Sequence, residues 1–157
     1  MSRFPYNAFQ IEEIVQVEKH PRDWEPIEFE KGQRGNQSRL ADVQLLREDA
    51  RTDRLRLIIR AGRVNQPETF AAALLLENTK IRGIDFHPME RRKWYGKVAI
   101  PAGWHQDVID PNLDQSDLNY QRRLPVEDFE PYDLVDFLKR VSTIWNITLP
   151  NQSDYLL

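Results

Sequence analysis

Two of the chain's three histidines carry its strongest chemical signal: His87 stands in Asp85-Phe86-His87-Pro88 and His105 in Gly103-Trp104-His105-Gln106, 18 positions apart. Imidazole titrates near neutrality, so a facing pair can supply the acid and the base of RNA transesterification, with Arg91, Arg92, Lys93 or Lys97 holding the phosphate. The same residues admit a metal reading. Asp85, His87 and His105 make a set of two histidines and one carboxylate that would suit a divalent ion, and Asp107 or Asp110 could extend it. On a strand, an Asp-x-His pair points both side chains to one face, which serves shared ligation as well as a simple Asp to His hydrogen bond. The plainer alternative is that both histidines are structural or surface residues. The residues alone leave all three open.

Between the histidines, Arg91-Arg92-Lys93-Trp94-Tyr95-Gly96-Lys97 interleaves four cations with two aromatics, a combination that can stack a base while pairing its phosphate. The alternative is a solvated turn whose aromatics return to the core. Trp104 completes this candidate binding set, although a tryptophan, like Trp24 and Trp145, more often anchors a core or its rim. Asp107, Asp110, Asp114 and Asp117 follow as a compact acidic region, and a basic stretch beside an acidic one suits a charged protein partner as well as RNA. Arg54, Arg56 and Arg60 predict an exposed sheet face that Arg47 or Arg82 could join, where arginines usually cover the sheet with their aliphatic stems.

To bring these side chains together the chain needs a scaffold, and apolar periodicity suggests one. Phe9, Ile11, Val15 and Val17 alternate with Glu12, Gln16 and Glu18, which predicts a strand. Residues 40–46 fit neither period. Leu55, Leu57 and Ile59 alternate with Arg54, Arg56 and Arg60, which predicts a half-buried strand, with hairpin links at 48–53 and 63–68. Residues 69–77 hold three alanines and three leucines that favour helix, with a capping box of Asn65 and Glu68 around Pro67. Their shortness between turn signals favours a buried strand instead. Extended residues 81–86 then lead into His87. Residues 91–119 read as loop with at most one short strand at 97–100, and the two imidazoles meet if that strand pairs back on 81–86. Pro131 and Asp133 open an amphipathic helix over 131–145, with Leu134, Phe137, Leu138, Val141, Ile144 and Trp145 on one face. The expected fold is α+β: an antiparallel β-meander sheet with this C-terminal helix packed on one face. It forms one domain over 1–157, with residues 1–36 peripheral or partly mobile.

A chain of 157 residues removes roughly 70% of its unfolded surface from water, enough for a core without metal or cross-links. The absence of cysteine excludes disulfides, thiolate metal sites and cysteine nucleophiles, and makes a cytoplasmic setting the expectation. The longest apolar runs are far short of the roughly 20 residues that cross a bilayer, so no membrane association is expected. With 22 basic against 25 acidic residues there is no global positive field for polyanions, although a local basic patch can still grip a phosphate. No phosphate-cradling glycine loop, nucleophile elbow, His-Glu-x-x-His helix or dinucleotide fingerprint occurs, and no organic cofactor is expected; a divalent metal is the one cofactor the residues would support.

The order of an apolar strand, Ile81-Arg82-Gly83-Ile84-Asp85-Phe86-His87, a broken loop, Gly103-Trp104-His105, a polar stretch, Arg123-Leu124-Pro125 and a closing amphipathic helix resembles that of small uncharacterised bacterial proteins associated with toxin-antitoxin loci. The likeness spans residues 55 to 146. In such families an Arg-x-Asp segment at the end of a small β-meander precedes a Gly-x-His or His-x-His segment and then a helix, and some members are taken to be toxins. This chain has one histidine in the second segment where some relatives show two. The resemblance implies a bacterial toxin-antitoxin or defence setting. Two functions follow as expectations: a non-catalytic module that binds a protein partner, a second copy of itself included, through residues 91–119 and a sheet face, or a small RNase-like enzyme using His87 and His105, with or without a metal.

Overall fold

The computed structural model describes residues 4–32, 35–93 and 98–152. It opens with a helix where alternation predicts a strand. The Asn7 side chain accepts from the Gln10 N–H, and the Gln10 side chain accepts from the Asn7 N–H, so the two close a reciprocal cap. The helix that follows, α1 (Ala8–Gln16), buries Ile11, Ile14 and Val15. Their i, i+3, i+4 spacing is one helical face. Phe9, counted as core-facing in the alternation, is 72% exposed.

After α1 come two short strands, β1 (Lys19–Pro21) and β2 (Glu30–Lys31), which both pair with β3 (Arg39–Arg47). β3 opens an antiparallel meander through β4 (Leu55–Ala61), β5 (Phe70–Leu76) and β6 (Thr79–His87). The run at 69–77 is therefore a strand, preceded by a single 3-10 turn at Pro67–Thr69. β4 buries Leu55, Leu57 and Ile59, and β5 buries Phe70, Ala72, Leu74 and Leu76, the period of two expected of half-buried strands.

Residues 91–119 depart furthest from the loop expected there. β7 (Arg91–Lys93) and β8 (Val98–Ile100) form a separate two-stranded sheet, so the strand at 97–100 does not pair back on 81–86. That position belongs to β9 (Gly103–Ile109), which lies against β6 in the main sheet with Asp85 opposite His105. β10 (Gln121–Pro125) then completes eight strands in an open antiparallel sheet. Pro101 and Gly103 bound β9 instead of breaking it, with Gly103 at φ 90°, where a side chain would be strained.

The closing helix, α2 (Leu134–Ile144), begins at Asp133, whose side chain accepts from the Asp136 N–H. It buries Leu134, Phe137, Leu138 and Val141. Phe137 meets Phe70 at 5.5 Å and Trp104 at 5.5 Å between ring centroids, which seats α2 on the face of the sheet that carries the buried apolar side chains. The buried residues of α1 join the same cluster. The fold is thus α+β, an eight-stranded antiparallel sheet with the C-terminal helix on one face and one further helix at the N-terminus. Among the described residues no helix is long and apolar enough to cross a membrane.

The arginines expected on the open face divide. Arg56 pairs with Asp42 at 2.6 Å and Arg60 is exposed. Arg47 and Arg82, however, are buried, Arg47 between Asp49 and Asp53, and Arg82 against Glu12 at 2.7 Å.

Candidate metal centre

Alternation along β9 decides which side chains meet. Trp104 packs on Phe129 and Phe137, and Gln106 accepts from the Trp145 indole at 2.9 Å, so these two face α2. His105 and Asp107, at the intervening positions, face the other way. Across the ladder, Asp85 is opposite His105 and Gly83 is opposite Asp107, which places Asp85, and His87 two residues on, on that same outer face. The imidazoles lie parallel, 4.8 Å apart at an interplanar angle of 16°. One ligand atom from each of Asp85, His87 and His105 falls within 4.8 Å of the other two.

His105 is the buried centre of the group, its side chain 1% exposed, whereas those of His87 and Asp85 are 20% and 40% exposed. Its Nε2 lies 2.6 Å from Asp85 Oδ1 and 3.4 Å from Asp107 Oδ1. These are close charge contacts without hydrogen-bond angles. Both ring nitrogens of His105, and Oδ1 of Asp85 and of Asp107, are buried with no hydrogen-bond partner among the described residues. Burial opposes an imidazolium here, but Asp107 and Asp85 outweigh it and raise the His105 pKa to about 9. Burial likewise pushes the Asp107 carboxyl up, and His105 and Lys80 more than compensate, holding it below its ordinary value.

Lys80 reaches Asp107 at 3.0 Å, and Arg123 on β10 lies 3.8 Å from it. Lys80 takes this course because position 83 has no side chain. A Cβ on Gly83 would stand 2.6 Å from Lys80 Cε and 3.2 Å from Asp107 Oδ2. The sequence singles out neither cation. Lys80 looks like part of the turn before β6, and only the bulge between Leu74 and Leu75 and the β6 to β9 register bring it to Asp107.

The remaining candidates fall elsewhere. Arg91, Arg92 and Lys93 form β7, and Trp94, Tyr95 and Lys97 lie outside the described residues. Trp104 is a core-face anchor, against Phe86, Phe129 and Phe137. Asp110, Asp114 and Asp117 each accept a backbone N–H two residues further on, so they shape the turns between β9 and β10.

Two imidazoles stacked at 4.8 Å leave no room for a phosphorus centre between them, so flanking acid and base catalysis is poorly served. The three donor atoms lie close enough to gather round one ion once the stacked rings turn their lone pairs toward it. Two histidine nitrogens and a carboxylate oxygen are a donor set for Zn²⁺ or another first-row divalent ion, and three protein ligands leave positions open for water or substrate. His105 Nδ1 points the same way, since it is buried with no hydrogen-bond partner among the described residues and such groups are rare. No protein-family model matches the chain, and comparisons with curated proteins and with solved structures likewise found no match.

Proposed function

We propose that the chain is a divalent-metal-dependent hydrolase of RNase-like type, with Asp85, His87 and His105 holding the ion on the outer face of the sheet. The observation that carries this reading is the grouping of the three donors within 4.8 Å of one another, with the buried His105 Nδ1 left without a hydrogen-bond partner among the described residues. A bound ion would replace the attraction that the two carboxylates otherwise exert on a proton at His105. It would also lower the pKa of a coordinated water enough to supply hydroxide near neutrality. Half-exposed Asp85 and partly exposed His87 leave that water open to solvent. A toxin-antitoxin or defence setting, with a protein partner that covers the site, fits this activity and rests on the sequence resemblance alone.

The test is cleavage of cellular RNA by the metal-stripped chain with Zn²⁺, Mn²⁺ or Co²⁺ added back, run beside direct metal titration. Loss of an outer-sphere partner typically costs 10- to 100-fold in metal affinity, so Asp85→Ala or His87→Ala should cost more than roughly 100-fold. Cleavage should need metal and should vanish in both variants without loss of folding. Cleavage by the stripped chain would instead support metal-free chemistry. Neither cleavage nor stoichiometric metal binding would return the chain to the non-catalytic module.

A further inference from the structure

Beside the three donors the outer face sinks into a cavity of about 230 Å³. Its floor is β5, where Ala71 and Ala73 present only methyl groups. Its walls are Ile58 and Arg60 on β4, Lys80 and Asp85 on β6, and Asp107 on β9. Strands two places apart in a sheet are separated by about 10 Å, and Arg60 on β4 and the Lys80 side chain from β6 flank the alanines diagonally. Arg60 is opposite Ala71 and Lys80 opposite Leu75, and the Lys80 side chain runs back over Gly83, which is opposite Ala73.

The charges in this cavity are unevenly matched. Asp107 has Lys80 and His105 beside it. Asp85 belongs both to the cavity and to the donor group. Arg60 is exposed and its guanidinium forms no ion pair among the described residues. A guanidinium presents paired N–H donors that match two oxygens of a tetrahedral oxyanion, and an ammonium supplies a point charge to a third. A phosphoryl group has oxygens to meet Arg60, Lys80 and an ion at Asp85 from three directions. A planar carboxylate has only two.

Building on the metal reading, we infer that the cavity between Arg60, Lys80 and Asp85 is the substrate subsite, and that it takes a phosphoryl oxyanion such as the phosphodiester of a nucleic acid. Ala71, Ala73 and Gly83 keep the floor low enough for that group to sit beside the ion. The ion and Lys80 offset the carboxylates that would otherwise repel it.

Calorimetric titration of the Zn²⁺-loaded and metal-stripped chain with inorganic phosphate, a dinucleoside monophosphate and acetate tests this, with Arg60→Gln and Ala73→Leu as variants. Arg60 is exposed and Ala73 half-buried on the open face, so both variants should fold, which circular dichroism checks. The expected result is phosphoryl binding that weakens at least roughly tenfold in each variant, in line with the 1.5–3 kcal/mol of a charged hydrogen bond, while Zn²⁺ affinity is unchanged. Phosphoryl binding equally tight in Arg60→Gln and Ala73→Leu overturns the subsite and leaves the metal reading standing. Acetate bound as tightly as phosphate overturns the phosphoryl assignment. Phosphoryl binding that both variants weaken in a chain that takes up no Zn²⁺ supports the subsite and removes the metal reading.

Discussion

Two buried cationic side chains in this fold are treated in opposite ways. Lys19, on β1, is fully buried, yet its Nζ donates to the carbonyls of Ile14, Val15 and Val17 at 2.7, 2.9 and 2.6 Å. Those carbonyls end α1, where the helix dipole favours a positive charge and the last C=O groups lack partners within the helix. All three protons of the ammonium are used by the chain itself. His105 is as deeply buried, with two carboxylates at its Nε2, and neither of its ring nitrogens has a hydrogen bond among the described residues. Lys19 is closed by the chain's own backbone, whereas the charge at His105 is met by two carboxylates.

The largest break in that contrast comes from Lys19. Lys19→Met leaves three inward-facing carbonyls without a donor, partly offset by the lost cost of burying a charge, and should destabilise the chain by about 3 kcal/mol in urea unfolding. A change of less than about 0.5 kcal/mol would mean that the ammonium does not hold the end of α1.

The two cations also oppose each other in pH. Burial, then Arg47, lowers the Lys19 pKa from 10.5 to about 7, so between those values the unfolded chain holds a proton that the folded chain has released. Stability from this group therefore rises with pH across that window. His105 is raised from 6.5 to about 9, so its contribution is complete below 6.5 and is lost as pH climbs through 9. In metal-free buffer the two slopes partly cancel between pH 7 and 9. Lys19→Met should unmask a fall in stability over that interval, and Asp85→Asn should steepen the rise. Identical pH profiles for all three chains would contradict the assignment of these groups.

The smallest effect belongs to Gly83. Gly83→Ala puts a methyl against the flexible end of Lys80 and should cost less than about 1 kcal/mol, since Lys80 can swing to solvent. Its mark should be local, as Asp107 loses its nearest cation. Carboxyl titration followed by NMR should show the Asp107 pKa moving up, and an unmoved pKa would mean that Lys80 does not govern it.

How much of this could be read from residues depended on where the needed information lay. β4 was legible because apolar and polar side chains alternate along it, and β5, which has no polar residue, because it is short between turn signals. The helix α2 was legible from Asp133 and its apolar stripe. The N-terminal residues misled because Phe9, Ile11, Val15 and Val17 satisfy a period of two, whereas the capping pair Asn7 and Gln10 and the Ile11, Ile14, Val15 spacing decide for helix. β9 was hidden because its polar residues stand on both faces, Gln106 toward α2 and His105 with Asp107 away from it. His87, His105 and Asp85 stood out by chemical type. Lys80 and Arg123 did not, and Arg60 was read only as part of an exposed arginine face, because their approach to the site is set by strand register and a bulge, which no local pattern encodes.

On the proposed reading, His105 is an unfinished donor and not a finished core residue. Its most direct test is NMR of the ¹⁵N-labelled imidazoles during addition of Zn²⁺ to the metal-stripped chain. One nitrogen of His87 and one of His105 should shift together and saturate at a single equivalent, and Asp85→Ala should abolish both shifts. Imidazole resonances that stay in place at one equivalent of Zn²⁺, or a His87 shift with His105 unmoved, would contradict it.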